Sequence, residues 1–300
     1  MTTTATQPTP AHQLHSAPIN SSSLDTSIKN KGFAVPRGPV TTELNFFNPP
    51  SDGSAPYNFV EKQPEGVPQS NFGATPHDVT IQDARGREQD FDLDKNSFAF
   101  IQGVESEEKD FVDDDSIKQK YYPEVEKIIL DNVPGANRVL IFDHTIRRAG
   151  PNANRAPVTR THIDQTPVSA KMRVEYHLPD EAEKLVQGRY RIINVWRPLN
   201  GPVVAHPLAF ADGSTFRDED LVPVEHRYPH RTGYTAAIKY NPDQQWYYLS
   251  GMRNDERLLL KCSDSFRADG RVPHTAFVDP RTPEGAPGRE SIEVRALVFG

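Results

Sequence analysis

The sequence predicts a mainly β protein of the sandwich or barrel kind. Short apolar stretches recur along it, separated by Pro, Gly and Asn-Pro-Asp turn signals. Strands packed that closely fit a sandwich or barrel better than alternating βα units. Prolines number 27 in 300 residues, with 25% charged residues, which suits a loop-rich β protein more than a helical bundle. The run Ser291 to Phe299 alternates along its length, as a strand with two different faces does.

Taken in order, residues 1–32 are rich in Thr, Ser, Pro and Gln and poor in large apolar groups. They bury too little surface to offset their ordering entropy, so a disordered segment is expected there. Residues 33–300 read as one domain. It opens with a wrapping arm anchored by Phe33, Val35, Leu44, Phe46, Phe47, Tyr57 and Phe59. Val79-Thr80-Ile81 and Phe91-Asp92-Leu93 are expected to form a two-stranded unit around Gly86, with Phe98 to Ile101 as a further apolar element. Asp113, Asp114 and Asp115 precede Ile117, Tyr121, Val125, Ile128 and Ile129. That spacing is helical, with acids at the positive end of the helix and Pro134-Gly135 as its stop. Arg138 to Phe142 is a buried strand. Ser169 to His177 and residues 179–186 read as short helices. Strands are expected over Tyr190–Trp196, Val203–Phe210, Val222–Arg227, Gly233–Tyr240, Gln245–Leu249, Arg257–Lys261, His274–Val278 and Ser291–Phe299.

Composition excludes several functions. Net charge is −7 and no Lys/Arg run occurs, so no nucleic-acid partner is expected. Runs such as Ile192 to Trp196 are too short to span a bilayer, and the first residues carry no secretory pattern. The single Cys262 suits a reducing cytoplasm. Nothing in the sequence indicates an oligomeric state. P-loop, GxGxxG, HExxH and GxSxG motifs are absent.

Chemistry concentrates at Thr161-His162-Ile163-Asp164. On a strand, His162 and Asp164 point to one face. A second His arriving later, His274, gives a two-His, one-carboxylate set of the kind that leaves open positions on Fe(II). Arg289-Glu290-Ser291 follows. An Arg fork with a hydroxyl beside it suits the distal carboxylate of 2-oxoglutarate. An Arg-x-Ser on a strand next to the one bearing His274 would set both donors on one face.

The segments Phe142-Asp143-His144-Thr145-Ile146-Arg147, His162-Ile163-Asp164-Gln165 and Asn194-Val195-Trp196-Arg197-Pro198 carry a further signal. So do His226-Arg227-Tyr228, Gln245-Trp246-Tyr247-Tyr248, Leu260 to Ser265, Pro273 to Phe277 and Arg289 to Arg295. With them the chain resembles the Fe(II)/2-oxoglutarate-dependent dioxygenase superfamily. Within it, the chain resembles the AsaB-type hydroxylase/desaturases, which include gibberellin desaturase-like and CmcJ-like proteins. The resemblance runs from Phe142 to the C-terminus and more weakly back to Phe33. It implies a distorted double-stranded β-helix, or jelly roll, with a few flanking helices. It also implies Fe(2+) at His162, Asp164 and His274, and 2-oxoglutarate at Arg289 helped by Ser291, with Arg281 and Arg295 as alternatives to Arg289. The reaction implied consumes O2, turns 2-oxoglutarate into succinate and CO2, and hydroxylates or desaturates a small specialised metabolite.

Arg147, Trp196, Arg197 and His230 are candidate substrate contacts at the barrel mouth. Each also has a plainer reading: core packing for Trp196, a surface pair for Arg197, an exposed loop for His230. His206 reads as structural and Cys262 as a small buried hydrophobe. Two other functions fit the scaffold: a non-oxidative metal-dependent enzyme, which would have no use for Arg-x-Ser, and a non-catalytic binding protein, against which the intact His162, Asp164 and His274 argue.

Overall fold

The computed structural model describes residues 32–149 and 157–300. Nearly all of the first 32 residues, where disorder was expected, lie outside the described residues, as does the middle of the loop before Arg160.

The elements run β1 (Val40–Asn48), β2 (Tyr57–Phe59), β3 (Gly73–Asp83), β4 (Phe98–Ile101), α1 (Asp114–Ser116), a π turn (Ile117–Tyr121), α2 (Tyr122–Asn132) and β5 (Arg138–Arg147). They continue with β6 (His162–Ile163), α3 (Pro167–His177), α4 (Ala182–Leu185), β7 (Tyr190–Pro198), β8 (Leu208–Ala211), β9 (Leu221–Arg227) and β10 (Thr232–Ile238). The last are β11 (Trp246–Tyr248), β12 (Arg257–Asp264), β13 (His274–Ala276) and β14 (Ser291–Phe299). A nine-stranded sheet has the order β1-β3-β11-β8-β13-β6-β10-β9-β2, and a five-stranded sheet the order β4-β12-β7-β14-β5. The two curl towards each other as a distorted double-stranded β-helix.

The α1–α2 segment forms where the acidic start placed it. Asp113 accepts a hydrogen bond from the Ser116 backbone N–H at 2.7 Å, satisfying one of the free donors at a helix start. The helix ends at Val133, which is extended and donates its N–H to Ile129 O at 2.9 Å, and Gly135, at φ +75°, turns the chain towards β5. Val125, Ile128 and Ile129 then pack with Ile193, Val195, Leu259, Ile292, Val294, Ala296 and Val298. The helix therefore covers the outer face of the five-stranded sheet.

The inner face of that sheet follows from the same alternation. Ser291, Glu293 and Arg295 on β14 pair across with Arg147, Thr145 and Asp143 on β5 and with Pro198, Trp196 and Asn194 on β7. Paired residues share a face, so three cross-strand rows of mostly polar side chains look into the fold. Along β7 this polar stretch lies between Ile192, in a cluster with Trp246 and Phe299, and Trp196, in a cluster with Phe210 and Leu258.

Two expectations are corrected. Phe91 to Leu93 forms no strand. The Asp92 carboxylate accepts from the backbone N–H groups of Asp94 and Lys95 at 2.9 and 2.7 Å, turning the chain there. Val79 to Ile81 belongs instead to β3, which pairs with β1 in the arm. The strand beginning at Ser291 also does not neighbour the one bearing His274. β13 lies between β8 and β6 in the larger sheet, whereas β14 lies between β7 and β5 in the smaller. Arg289 and His274 approach from opposite walls, because strand order is set by long-range pairing that local spacing does not encode.

Candidate metal centre

His162 stands on β6, only two residues long, and Asp164 lies one residue beyond it. The chain is fixed at once by α3, where Thr166 accepts from the Ser169 N–H at 3.1 Å and Ser169 Oγ accepts from the Thr166 N–H at 2.8 Å. This reciprocal cap holds Asp164 between a strand and a helix start. His274 begins β13 and pairs directly with His162 across the sheet, so both imidazoles share a face.

Ligand-type atoms of His162, Asp164 and His274 all lie within 4.8 Å of one another, the one group of its kind among the described residues. Asp164 Oδ1 is 3.4 Å from His162 Nε2 and 3.9 Å from His274 Nε2. Each His turns its other nitrogen to a backbone carbonyl: Nδ1 of His162 to Arg160 O at 2.8 Å, Nδ1 of His274 to Val272 O at 3.2 Å. Those bonds tie a proton to each Nδ1 and turn both Nε2 atoms into the cluster, as a metal requires. Against its burial, the hydrogen bond and charge of Asp164 raise His162, so a metal binding there displaces a proton. Burial resists ionisation of Asp164, but the hydrogen bond with His162 outweighs it and holds the carboxyl well below its usual range. Burial, reinforced by His162, pushes His274 down to about 4, so its ring is neutral and able to ligate at neutral pH.

Behind Asp164, Asn194 Nδ2 donates to Oδ2 at 2.8 Å. Arg295 Nη1 stands 3.9 Å from the same oxygen. Arg295 in turn donates from Nε to Asp143 at 2.6 Å and from Nη2 to Thr145 Oγ1 at 3.1 Å. Burial alone would depress Arg295, yet Asp143, Asp164 and Glu293 outweigh it and keep it charged. Glu293 lies 3.7 Å from Arg295 Nη1. Burial, then the Asp164 charge, raises Glu293 to about 7.

Arg289 lies just before β14 and is buried. Its Nη1 donates to His206 O at 3.0 Å, its guanidinium carbon lies 5.2 Å from the Trp196 ring centre, and its Nε has no partner. Burial, then Arg147, pushes it down to about 9. A buried guanidinium with an unfilled donor and a second Arg nearby fits a carboxylate. His206 itself sits at φ +51°, an uncommon conformation outside glycine, and from there turns its carbonyl to Arg289. The other two arginines are committed elsewhere. Arg281 is bonded to Asp279, to the backbone of Arg37 and to Tyr248, and Arg295 to Asp143 and Thr145.

Of the candidate substrate contacts, Arg147 and Trp196 fall on the inner face, Arg147 opposite Ser291. Arg197 does not. It points outward, its guanidinium 4.9 Å from the Phe111 ring centre and 5.7 Å from that of Tyr121, because adjacent residues of a strand take opposite faces. His230 is exposed between β9 and β10, consistent with its plainer reading and not with a place in this cluster. Asn194 and Glu293 join the site without having been singled out, Arg295 joins it beside Asp164 rather than as the co-substrate arginine, and His206 joins it through its backbone carbonyl. The signal for three of them was available: Asn194 shares the β7 face of Trp196, and Glu293 and Arg295 continue the alternation from Ser291.

Comparison with known proteins agrees with this geometry. A family model described as an oxidoreductase/YMDC permease-like domain matches residues 44–299. The hydroxylase/desaturase poxK of Penicillium oxalicum is 38% identical, over 88% of this chain and 92% of its own. The Fe(II)/2-oxoglutarate-dependent dioxygenase nvfI of Aspergillus novofumigatus is 34% identical, over 86% of this chain and 96% of its own. The chain belongs to this hydroxylase/desaturase family of dioxygenases. A solved structure of a variant of the iron- and α-ketoglutarate-dependent endoperoxidase NvfI superposes with a TM-score of 0.82 at 33% identity, covering 89% of this chain and 99% of that one. No helix among the described residues is long and apolar enough to cross a membrane.

Proposed function

We propose that the chain is an Fe(II)/2-oxoglutarate-dependent oxygenase that hydroxylates or desaturates a small specialised metabolite, with Fe(2+) at His162, Asp164 and His274. The distal carboxylate of 2-oxoglutarate is assigned to Arg289, helped by Ser291. The observation that carries this reading is the pairing of two features inside one fold: three ligand atoms within 4.8 Å and a buried guanidinium with an unpartnered Nε. Neither is explained by packing alone.

With iron and 2-oxoglutarate bound, the site supplies O2-dependent oxidation of a C–H bond, coupled to release of succinate and CO2. The chain's own residues do the rest. His162 and His274 offer Nε2 because their Nδ1 protons are tied to carbonyls. Asp164 offers Oδ1 because Asn194 holds Oδ2. Arg289 binds and orients the co-substrate, and the apolar clusters on either side exclude water. Arg147 and Trp196 are assigned to the substrate side of the cavity. Partners are small molecules, with no nucleic acid or membrane. A cytoplasmic location is assigned, in keeping with a sequence whose single cysteine can form no intrachain disulfide.

Succinate formation from 2-oxoglutarate, with Fe(II) and ascorbate added, tests this directly. Wild type should turn over and His162→Ala should not. Arg289→Ala should raise the 2-oxoglutarate requirement about 10–100-fold, as loss of a charged hydrogen-bonding partner does. An unchanged requirement would reject the co-substrate assignment while leaving the metal site standing.

A further inference from the structure

The segment Asn194-Val195-Trp196-Arg197-Pro198 lies on β7, a central strand between β12 and β14, and touches both the metal cluster and the buried arginine. Its alternation divides it. Asn194 and Trp196 face inward, while Val195 and Arg197 face the helix. Asn194 is fully buried. Its Nδ2 holds Asp164 Oδ2 at 2.8 Å, and the amide is fixed this way round, since its oxygen would be repelled by the carboxylate. Arg295, the register partner of Asn194 on β14, stands at the same oxygen. Asp164 is thus left with Oδ1 directed at the two Nε2 atoms. Two residues along, roughly 6–7 Å by strand geometry, the Trp196 ring backs the guanidinium of Arg289. With Nη1 held by His206 O, that contact aims the rest of the fork. From behind, Arg197 is seated against Phe111 and Tyr121, which pins the strand to the outer layer.

We infer that β7 sets both ends of the cofactor site, with Asn194 the positioning residue for Asp164 and Trp196 the positioning residue for Arg289. The inference rests on the proposed iron and 2-oxoglutarate assignments. It adds that a single rigid strand fixes the spacing between metal and co-substrate anchor, and that the two ends are separable by mutation.

The test uses the full chain and two probes: Co(II), followed by its visible absorption, and 2-oxoglutarate, followed anaerobically by the visible band of its Fe(II) complex. Asn194→Ala should weaken Co(II) binding about 10–100-fold, the usual effect of removing a partner that orients a ligand, and should alter the Co(II) spectrum. At saturating metal its 2-oxoglutarate affinity should stay within about threefold of wild type. Trp196→Leu should do the reverse, leaving Co(II) affinity intact and weakening 2-oxoglutarate about 3–30-fold, with Trp196→Phe restoring most of it. If Asn194→Ala does not fold, Asn194→Ser carries the same expectation. Wild-type Co(II) affinity and spectrum in the Asn194 variant overturn the inference, as does equal loss of both ligands in both variants. His162→Ala separates the two levels. Loss of Co(II) there, with full binding in Asn194→Ala, overturns this inference alone. Unchanged Co(II) binding in His162→Ala overturns the iron-site reading and this inference with it.

Discussion

One face of the five-stranded sheet lies under a helix and holds Ile193, Val195, Leu259, Ile292, Val294, Ala296 and Val298. The other holds Asp143, Arg147, Asn194, Ser291, Glu293 and Arg295, of which Asn194 and Ser291 are buried and the others half-buried. Both faces are drawn from the same strands, residue by residue in alternation. The outer face is stabilised by burial of apolar area and would suit many folds. The inner face takes polar and charged groups out of water, at a cost met only where each finds a partner or a ligand. Stability is concentrated on one side of β14 and chemistry on the other. A change at one residue should therefore affect one property, and its neighbour the other.

Four substitutions sharpen or break that comparison. The largest effect is expected for Asp164→Ala, on the wall that the inner face looks towards. Removing a proposed ligand should lower 2-oxoglutarate turnover by more than ~100-fold, beyond the effect usual for residues that only orient a ligand, while thermal unfolding of the metal-free protein changes little. Ile292→Ala, between Ser291 and Glu293 but facing outward, should cost about 2–5 kcal/mol in denaturant unfolding. The folded fraction should keep wild-type affinity for 2-oxoglutarate, and a matching loss of affinity would break the division between faces.

The two faces should also respond to pH with opposite sign. Glu293, raised to about 7 by burial and Asp164, holds its proton more tightly folded than unfolded. Its contribution is present below the ordinary Glu value near 4.3 and is lost as pH rises through about 7. Glu293→Gln should flatten that decline in the metal-free protein by up to about 1 kcal/mol per pH unit. His144 lies outward, with Tyr122 OH 2.9 Å from its Nδ1 and Asp114 3.5 Å from its Nε2. Burial lowers its pKa although Asp114 opposes the shift, so its contribution is lost as pH falls below about 6.5. His144→Asn should flatten the acid side of the stability curve by a smaller amount, measured by urea unfolding between pH 5 and 7.

The alternation of β14 was legible in the sequence, and its bounds match the expectation. So was the order His162, Asp164, His274, Arg289, because a pattern of ligand types needs no knowledge of strand pairing. Glu293, and the place of Arg295 beside Asp164, were hidden by the same alternation that revealed the strand. Charges every second residue ordinarily mark a solvated face, and only the second sheet turns that face into an interior. Asn194 was hidden by its setting in Ile192-Ile193-Asn194-Val195-Trp196, where one polar group among apolar ones names no partner. Placing Arg289 opposite His274 rather than beside it required the strand order of two sheets. Arg197 was misplaced by a single residue of register, enough to move a side chain to the other face.

The most direct measurement is a crystal structure of the full chain grown anaerobically with Fe(II) and 2-oxoglutarate. It should show His162 Nε2, Asp164 Oδ1 and His274 Nε2 on the metal, Asn194 still on Asp164 Oδ2, and the distal carboxylate on Arg289. A metal bound elsewhere, or a co-substrate carboxylate on Arg281 or Arg295 with Arg289 untouched, would contradict the account.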